Sequence, residues 1–176
     1  MTEVMIDIET FSCKPNAMIA TIGAVKFQSS TGKIQEQYYE KIKINDKDIE
    51  FFHQSMDTLL WWKKQSTESN TDIFCKDGRI ELKDALVKLC DFIPKEAKIW
   101  AKGPDFDCVI LSTAFEYYGL DVPWFYWNKR DLRTLMDISN SKDADFQHLL
   151  VNRHNALQDC IHQVKIVKSC YDKILF

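Results

Sequence analysis

Several features that commonly settle a protein's class are missing from this sequence. Its six cysteines (Cys13, Cys75, Cys90, Cys108, Cys160 and Cys170) contain no CxxC pair, and no histidine stands beside them at zinc-finger spacing. The opening MTEVMIDIET has acids where a secretory leader would carry basic residues, so the thiols read as reduced and the protein as cytoplasmic. No apolar run approaches the roughly 18 residues of a membrane span, and no membrane partner is expected. There is no basic excess either: the net charge is -3 and the pI near 5.8. That excludes the electrostatic footprint of a protein that coats long nucleic acid, though not an enzyme whose bound metal ions supply positive charge locally. With no repeat, Gly/Ser linker or charge block, 176 residues at 45% hydrophobic composition read as one domain, 1–176.

What is present begins as a β-meander. Residues 3–9, 19–27 and 34–44 read as strands, with a turn at Ser29–Gly32. Residues 57–65 suggest a short helix, and Leu82, Ala85, Leu86, Leu89 and Ile93 mark an amphipathic one closed by Pro94. Residues 97–101 form a further strand, followed after Gly103-Pro104 by a helix to about Tyr118. The aromatic run WFYW, 124–127, is expected as a fifth strand and 130–138 as a short helix. From Ala156 the stripe Leu157, Cys160, Ile161, Val164, Val167, Tyr171 and Ile174 makes a long C-terminal helix. The fold class is therefore α/β with a mixed sheet.

Three stretches carry acids out of keeping with their surroundings. In VMIDIETFS, Asp7 and Glu9 interrupt an apolar strand and point the same way, their Cα atoms roughly 6.6 Å apart. Near a core the two would repel and lose hydration; a divalent cation with a taste for hard oxygen ligands removes both penalties. At a solvated sheet edge they would be ordinary surface charge. In WAKGPDFDCVIL, Asp105 reads as a helix N-cap and Asp107 as a first-turn acid favoured by the helix dipole, at a strand end where α/β sites gather. In RHNALQDCI, Asn155 and Gln158 resemble a capping box. On a continuous helix His154 and Asp159 would point roughly 140° apart, but with the helix starting at Asn155, His154 lies in the loop just before it, free to swing toward the same pocket.

Together, DIET at 7–10, FDCVIL at 106–111 and HNALQD at 154–159 resemble, in order, the three motifs of the DEDDh exonucleases, the ribonuclease T, oligoribonuclease and proofreading-exonuclease superfamily. DIETFSCKPNAMIATIGAVKF, Trp61-Trp62 and RDLRTL add a resemblance to the phage exonuclease A and mycobacterial-type exoribonuclease branch. The resemblance implies a ribonuclease H-like sheet over the whole domain and a 3′-5′ exonuclease that releases nucleoside 5′-monophosphates from single-stranded RNA or DNA. It also implies two Mg²⁺ or Mn²⁺ ions about 3.5–4 Å apart, with Asp7 bridging, Glu9 and Asp159 completing one and Asp107 holding the other. His154 would be the general base. Thr10, Phe11 and Phe106 are the substrate-binding candidates, with core packing an equal reading of both phenylalanines. Trp61-Trp62 reads as a clamp or as core, and being adjacent on a helix at most one should line a site. Lys63, Lys64, Lys129, Arg130 and Arg133 are candidate phosphate contacts, or solvated charge. Pro104-Asp105 departs from the small polar residues of many relatives, which bears on substrate contacts there. Dimers occur among relatives, and the aromatic surface leaves room for one.

Two other readings compete. Asp7 and Glu9 could be the acid and base of a glycosidase, insensitive to chelator, which leaves Asp107 and Asp159 unexplained. A non-catalytic module that binds nucleic acid ends would keep binding after Asp7→Ala.

Overall fold

The computed structural model describes residues 2–149 and 153–175. Its centre is a sheet of β1 (Glu3–Thr10), β2 (Ile19–Gln28), β3 (Lys33–Lys43), β4 (Arg79–Glu81), β5 (Lys98–Ala101) and β6 (Lys129–Asp131), in the order β4-β3-β2-β1-β5-β6. β1 to β3 form the antiparallel meander, while β4 on β3, β5 on β1 and β6 on β5 are parallel. The helices are α1 (Asp46–Phe51), α2 (Met56–Trp62), α3 (Thr67–Phe74), α4 (Leu82–Phe92), α5 (Pro104–Tyr117), α6 (Leu132–Ile138) and α7 (Ala156–Leu175). This is the mixed α/β architecture read from the sequence. Among the described residues no helix is long and apolar enough to cross a membrane.

β1 is buried because it lies between two helical layers. Val4, Ile6 and Ile8 join one core with Leu86 and Leu89 of α4 and Ile110 and Leu111 of α5. Met5 faces the other way, into a core with Cys160, Val164 and Val167 of α7. Alternation puts Asp7 and Glu9 on the Met5 side, under α7.

Three differences from the sequence reading stand out. WFYW is not a strand: Tyr126–Asn128 form a turn of 3-10 helix, and the sheet edge is the next three residues, β6. Tyr126 and Trp127 point largely to solvent, 78% and 58% exposed, so their aromatic character reflects no buried pleat. β4, α1 and α3 were not anticipated, each being too short for a period to register. Asp105 is not the N-cap of α5. That position is Gly103, in the left-handed region at φ 107°, followed by Pro104 at the first helical position, where a missing N–H costs nothing.

Gly23 sets how closely α7 approaches the sheet. It sits opposite Asp7 on β2, and the first turn of α7 rests on its bare Cα. A methyl group there would overlap the Ala156 carbonyl and come within 2.5 Å of the Leu157 nitrogen, with backbone rather than a movable side chain in the way. Gly23→Ala should therefore cost about 1–3 kcal/mol of overpacking, or a melting temperature lowered by roughly 2–4 °C per kcal/mol. An unchanged melting curve would show that α7 does not lie so near.

Candidate active site

Each acidic candidate reaches the end of β1 for a local reason. Asp7 and Glu9 arrive by strand alternation. Immediately after Glu9 the ladder slips, Glu9 standing opposite Thr21 but Thr10 opposite Ile19, a bulge of the kind that re-aims side chains beside a site. Asp107 arrives because β5 is short. The β1–β5 ladder runs only from Glu3–Lys98 to Met5–Trp100, and the Ile8 amide beyond it donates instead to Asp107 Oδ1 at 3.1 Å. The carboxylate at the start of α5 thus takes the place of a strand carbonyl. Asp159 is in the first turn of α7, and Gln163, one turn on, donates through Nε2 to Asp7 Oδ1 at 2.7 Å.

His154 precedes α7, as expected, and is held in the left-handed region at φ 63°. Its backbone N–H donates to Asp159 Oδ2 at 3.0 Å. Its ring meets Trp61 edge-on at 4.9 Å between centroids and Trp62 at 5.9 Å. Trp62 is buried, its indole N–H donating to Thr10 O at 2.9 Å, while Trp61 is 42% exposed. Both indoles therefore touch His154, one from the core and one from the surface. Ligand atoms of Glu9, His154 and Asp159 all lie within 4.8 Å of one another. A cavity of about 350 Å³ opens over His154 and Asp159, with Lys102, Asp143, Gln147, Arg153, His162 and Gln163 in its wall.

The substrate-binding candidates are placed differently from one another. Thr10 is buried, its hydroxyl donating to Ser12 O at 2.6 Å. Phe11 is 2% exposed and packs on Phe74 with ring centroids 6.0 Å apart; its edge lines a separate, larger apolar cavity of about 480 Å³ with Leu59 and Ile73. Phe106 is half-buried in the first turn of α5. Arg133 donates to Lys102 O and Arg130 to Trp127 O, while Lys63 and Lys64 are exposed beyond α2. Sequence reasoning missed Gln163 and Lys102. The first was findable as the residue four after Asp159, on the same helix face; nothing local marks the second.

Like charges crowded in a buried place resist ionisation. Burial, then Asp107, Glu9 and Asp159, holds the Asp7 carboxyl well above the usual range, against the hydrogen bond from Gln163. Burial, followed by Asp159 and Asp107, does the same to Glu9. Burial lifts Asp107 to about 7, opposed by the Ile8 amide, and Asp159 to about 6, opposed by the His154 amide. Burial and the neighbouring Arg153 push His154 below its ordinary value. Among the described residues no Lys or Arg forms an ion pair with any of the four acids. Four uncompensated hard-oxygen donors around one strand end fit a divalent cation of the Mg²⁺ or Mn²⁺ kind.

A ribonuclease H-like mixed sheet with these acids and a histidine gathered at the end of β1 suits a 3′-5′ exonuclease. The chain belongs to the Rv2179c-like 3′-5′ exoribonuclease domain family, whose description matches residues 2–171. It is similar to an exodeoxyribonuclease of Enterobacteria phage T4, 26% identical over 78% of this chain and 71% of that one. Its fold matches Escherichia coli exonuclease I solved with single-stranded DNA and zinc (TM-score 0.73, 16% identity), where 99% of this chain covers 42% of the other. It also matches the nuclease domain of 3′hExo, a DEDDh member bound to rAMP (TM-score 0.64, 13% identity, 97% of this chain and 92% of that one). The chain spans about two fifths of the exonuclease I chains it matches.

The raised carboxyls make a stability prediction for the metal-free protein. An unfolded aspartate releases its proton near pH 4 and folded Asp107 near 7, so between these values the folded state holds the extra proton. Stability should fall as pH rises through that window, by up to about 1.4 kcal/mol per pH unit for each proton so held. Melting in EDTA at pH 5 and pH 7.5 should show the loss, Asp107→Asn should reduce it, and Mn²⁺ should restore stability chiefly at the higher pH. Identical pH dependence in Asp107→Asn would refute the assignment.

Proposed function

We propose that this protein removes nucleotides one at a time from the 3′ end of single-stranded nucleic acid, RNA or DNA, by hydrolysis to nucleoside 5′-monophosphates. The observation that carries this reading is the meeting of Glu9, His154 and Asp159 within 4.8 Å beside Asp7 and Asp107. The family supports the polarity, and the names of its relatives cover both sugars.

Asp7, Glu9, Asp107 and Asp159 would hold the divalent ions, which when bound polarise the scissile phosphate and neutralise charge developing on the leaving oxygen. The rest falls to the chain itself. His154, its pKa lowered by burial, is neutral at pH 7 and accepts the proton of the attacking water. Trp61 and Trp62 hold the ring by its edges. Gln163 keeps the Asp7 carboxylate turned inward through its 2.7 Å hydrogen bond. Lys102, on the wall of the same cavity and paired there with Asp143, would turn to a phosphate of the chain end. Phe106 offers its half-exposed ring to the terminal base, whereas Thr10 and Phe11 shape the seat from beneath through their packing.

Incubating 3′- and 5′-labelled RNA and DNA oligomers with Mg²⁺ or Mn²⁺ tests this directly. The 5′-labelled strands should shorten as a ladder from the 3′ end, and EDTA should abolish the reaction. Replacing His154 by Ala should lower kcat about 10²–10⁴-fold, the usual share of a general base, while Asp7→Asn should leave no turnover. Internal fragments, or full activity in the His154 variant, would sink the proposal.

A further inference from the structure

Among the described residues neither ring nitrogen of His154 has a hydrogen-bond partner, so the position of the ring is set by its backbone and by two indole edges. That backbone is in the left-handed region, φ 63°, which a non-glycine residue keeps only when its neighbours hold it there. Both neighbours are held by α3. Ser69 donates through its hydroxyl to Arg153 O at 2.9 Å, and Asn155 Nδ2 donates to Asp72 Oδ2 at 2.8 Å. Asn155 meanwhile spends its side-chain oxygen on capping α7, accepting from the Gln158 amide at 3.0 Å. Asp72 is tied in turn to β3: the Tyr39 hydroxyl donates to it and Lys41 pairs with it at 2.6 Å.

α3 itself does not move freely. All five N–H groups of the Arg79 guanidinium, the Nε–H included, meet carbonyl oxygens: Cys75, Asp72 and Ile73 at the C-terminal end of α3, and Ala20 and Ile42 on β2 and β3. The short helix is bolted to the sheet, and through it the His154 joint is referred to β3 rather than to the loop's own conformation.

We propose that Asp72 is a positioning residue for His154, acting through Asn155, with Ser69 holding the other side of the joint. It rests on the reading of His154 as the general base. Asp72 makes no hydrogen bond to any of the four acids; apart from the charge it adds near Glu9, its effect runs through Asn155. A shift of about 1 Å in a catalytic group is enough to cost on the order of 10²-fold in rate, which is why so remote a contact matters.

Asn155→Asp isolates the joint, because aspartate caps a helix as well as asparagine does but presents a like charge to Asp72 in place of a donor. Its kcat should fall about 10–100-fold with KM nearly unchanged and with Mn²⁺ affinity and circular dichroism retained. Exchanging the two groups (Asp72→Asn with Asn155→Asp) returns a donor facing a carboxylate and should restore most of kcat. Independently of turnover, the imidazole proton resonances of His154, displaced by the neighbouring indole rings, should collapse toward unstructured values in Asn155→Asp and recover in the exchanged pair. Wild-type kcat with unmoved His154 resonances in Asn155→Asp, or an exchanged pair as slow as the single variant, would overturn the proposal. A wild-type protein without nuclease activity would instead defeat the proposed function, and the resonances would still decide whether Asp72 orients the ring.

Discussion

Mutual repulsion of buried carboxylates is the constraint that the remainder of the structure is arranged to withstand. Asp7 and Glu9 leave the apolar strand where it ends, Asp107 and Asp159 come in from two different helices, and all four are raised above their ordinary pKa range by burial and, in the two on β1, by neighbouring carboxylates as well. Left to themselves these groups would separate or take up protons. Packing prevents the first: Val4, Ile6 and Ile8 on one face of β1 and Met5 on the other anchor the strand in two cores, and α7 is pressed onto the bare Gly23 backbone. A divalent cation held among them would answer the second.

The hydrogen bonds around the site share a trait: they are backbone groups left over by the fold. The Ile8 amide is free because β5 is too short to reach it, and it takes Asp107. The His154 amide is free because it lies ahead of α7, and it takes Asp159. Both of these acids are oriented by a donor that secondary structure could not use, so their orientation costs no additional ordered side chain. Gln163 is the exception, a side chain committed to Asp7.

The family's motifs are legible because they are short and chemically marked. An acid pair inside an apolar strand, an acid at a helix start and a histidine ahead of a helix cap can be seen without coordinates, and so can the three-stranded meander and the long last helix. The segments that escaped are those whose conformation is dictated from outside. The three residues of β4 and the eight of α3 have no period of their own; Arg79 and the neighbouring strands make them what they are. WFYW looked like a buried strand by composition, but Tyr126 and Trp127 face solvent and β6 takes up the sheet edge after them.

By itself the chain's order of residues determined which groups are available: four carboxylates, one imidazole, the alternation that puts Asp7 and Glu9 on one face, and the cap that starts α7 beyond His154. Those are consequences of local geometry, which depends only on neighbours within a few residues. Tertiary structure alone decided that Asp107 would close an unfinished ladder, that Gln163 would meet a residue 156 positions away, and that Asp72 and Ser69 would grip the backbone on either side of His154. Such contacts follow from where sheet and helices come to rest against each other, and no local pattern records a distance that only folding creates.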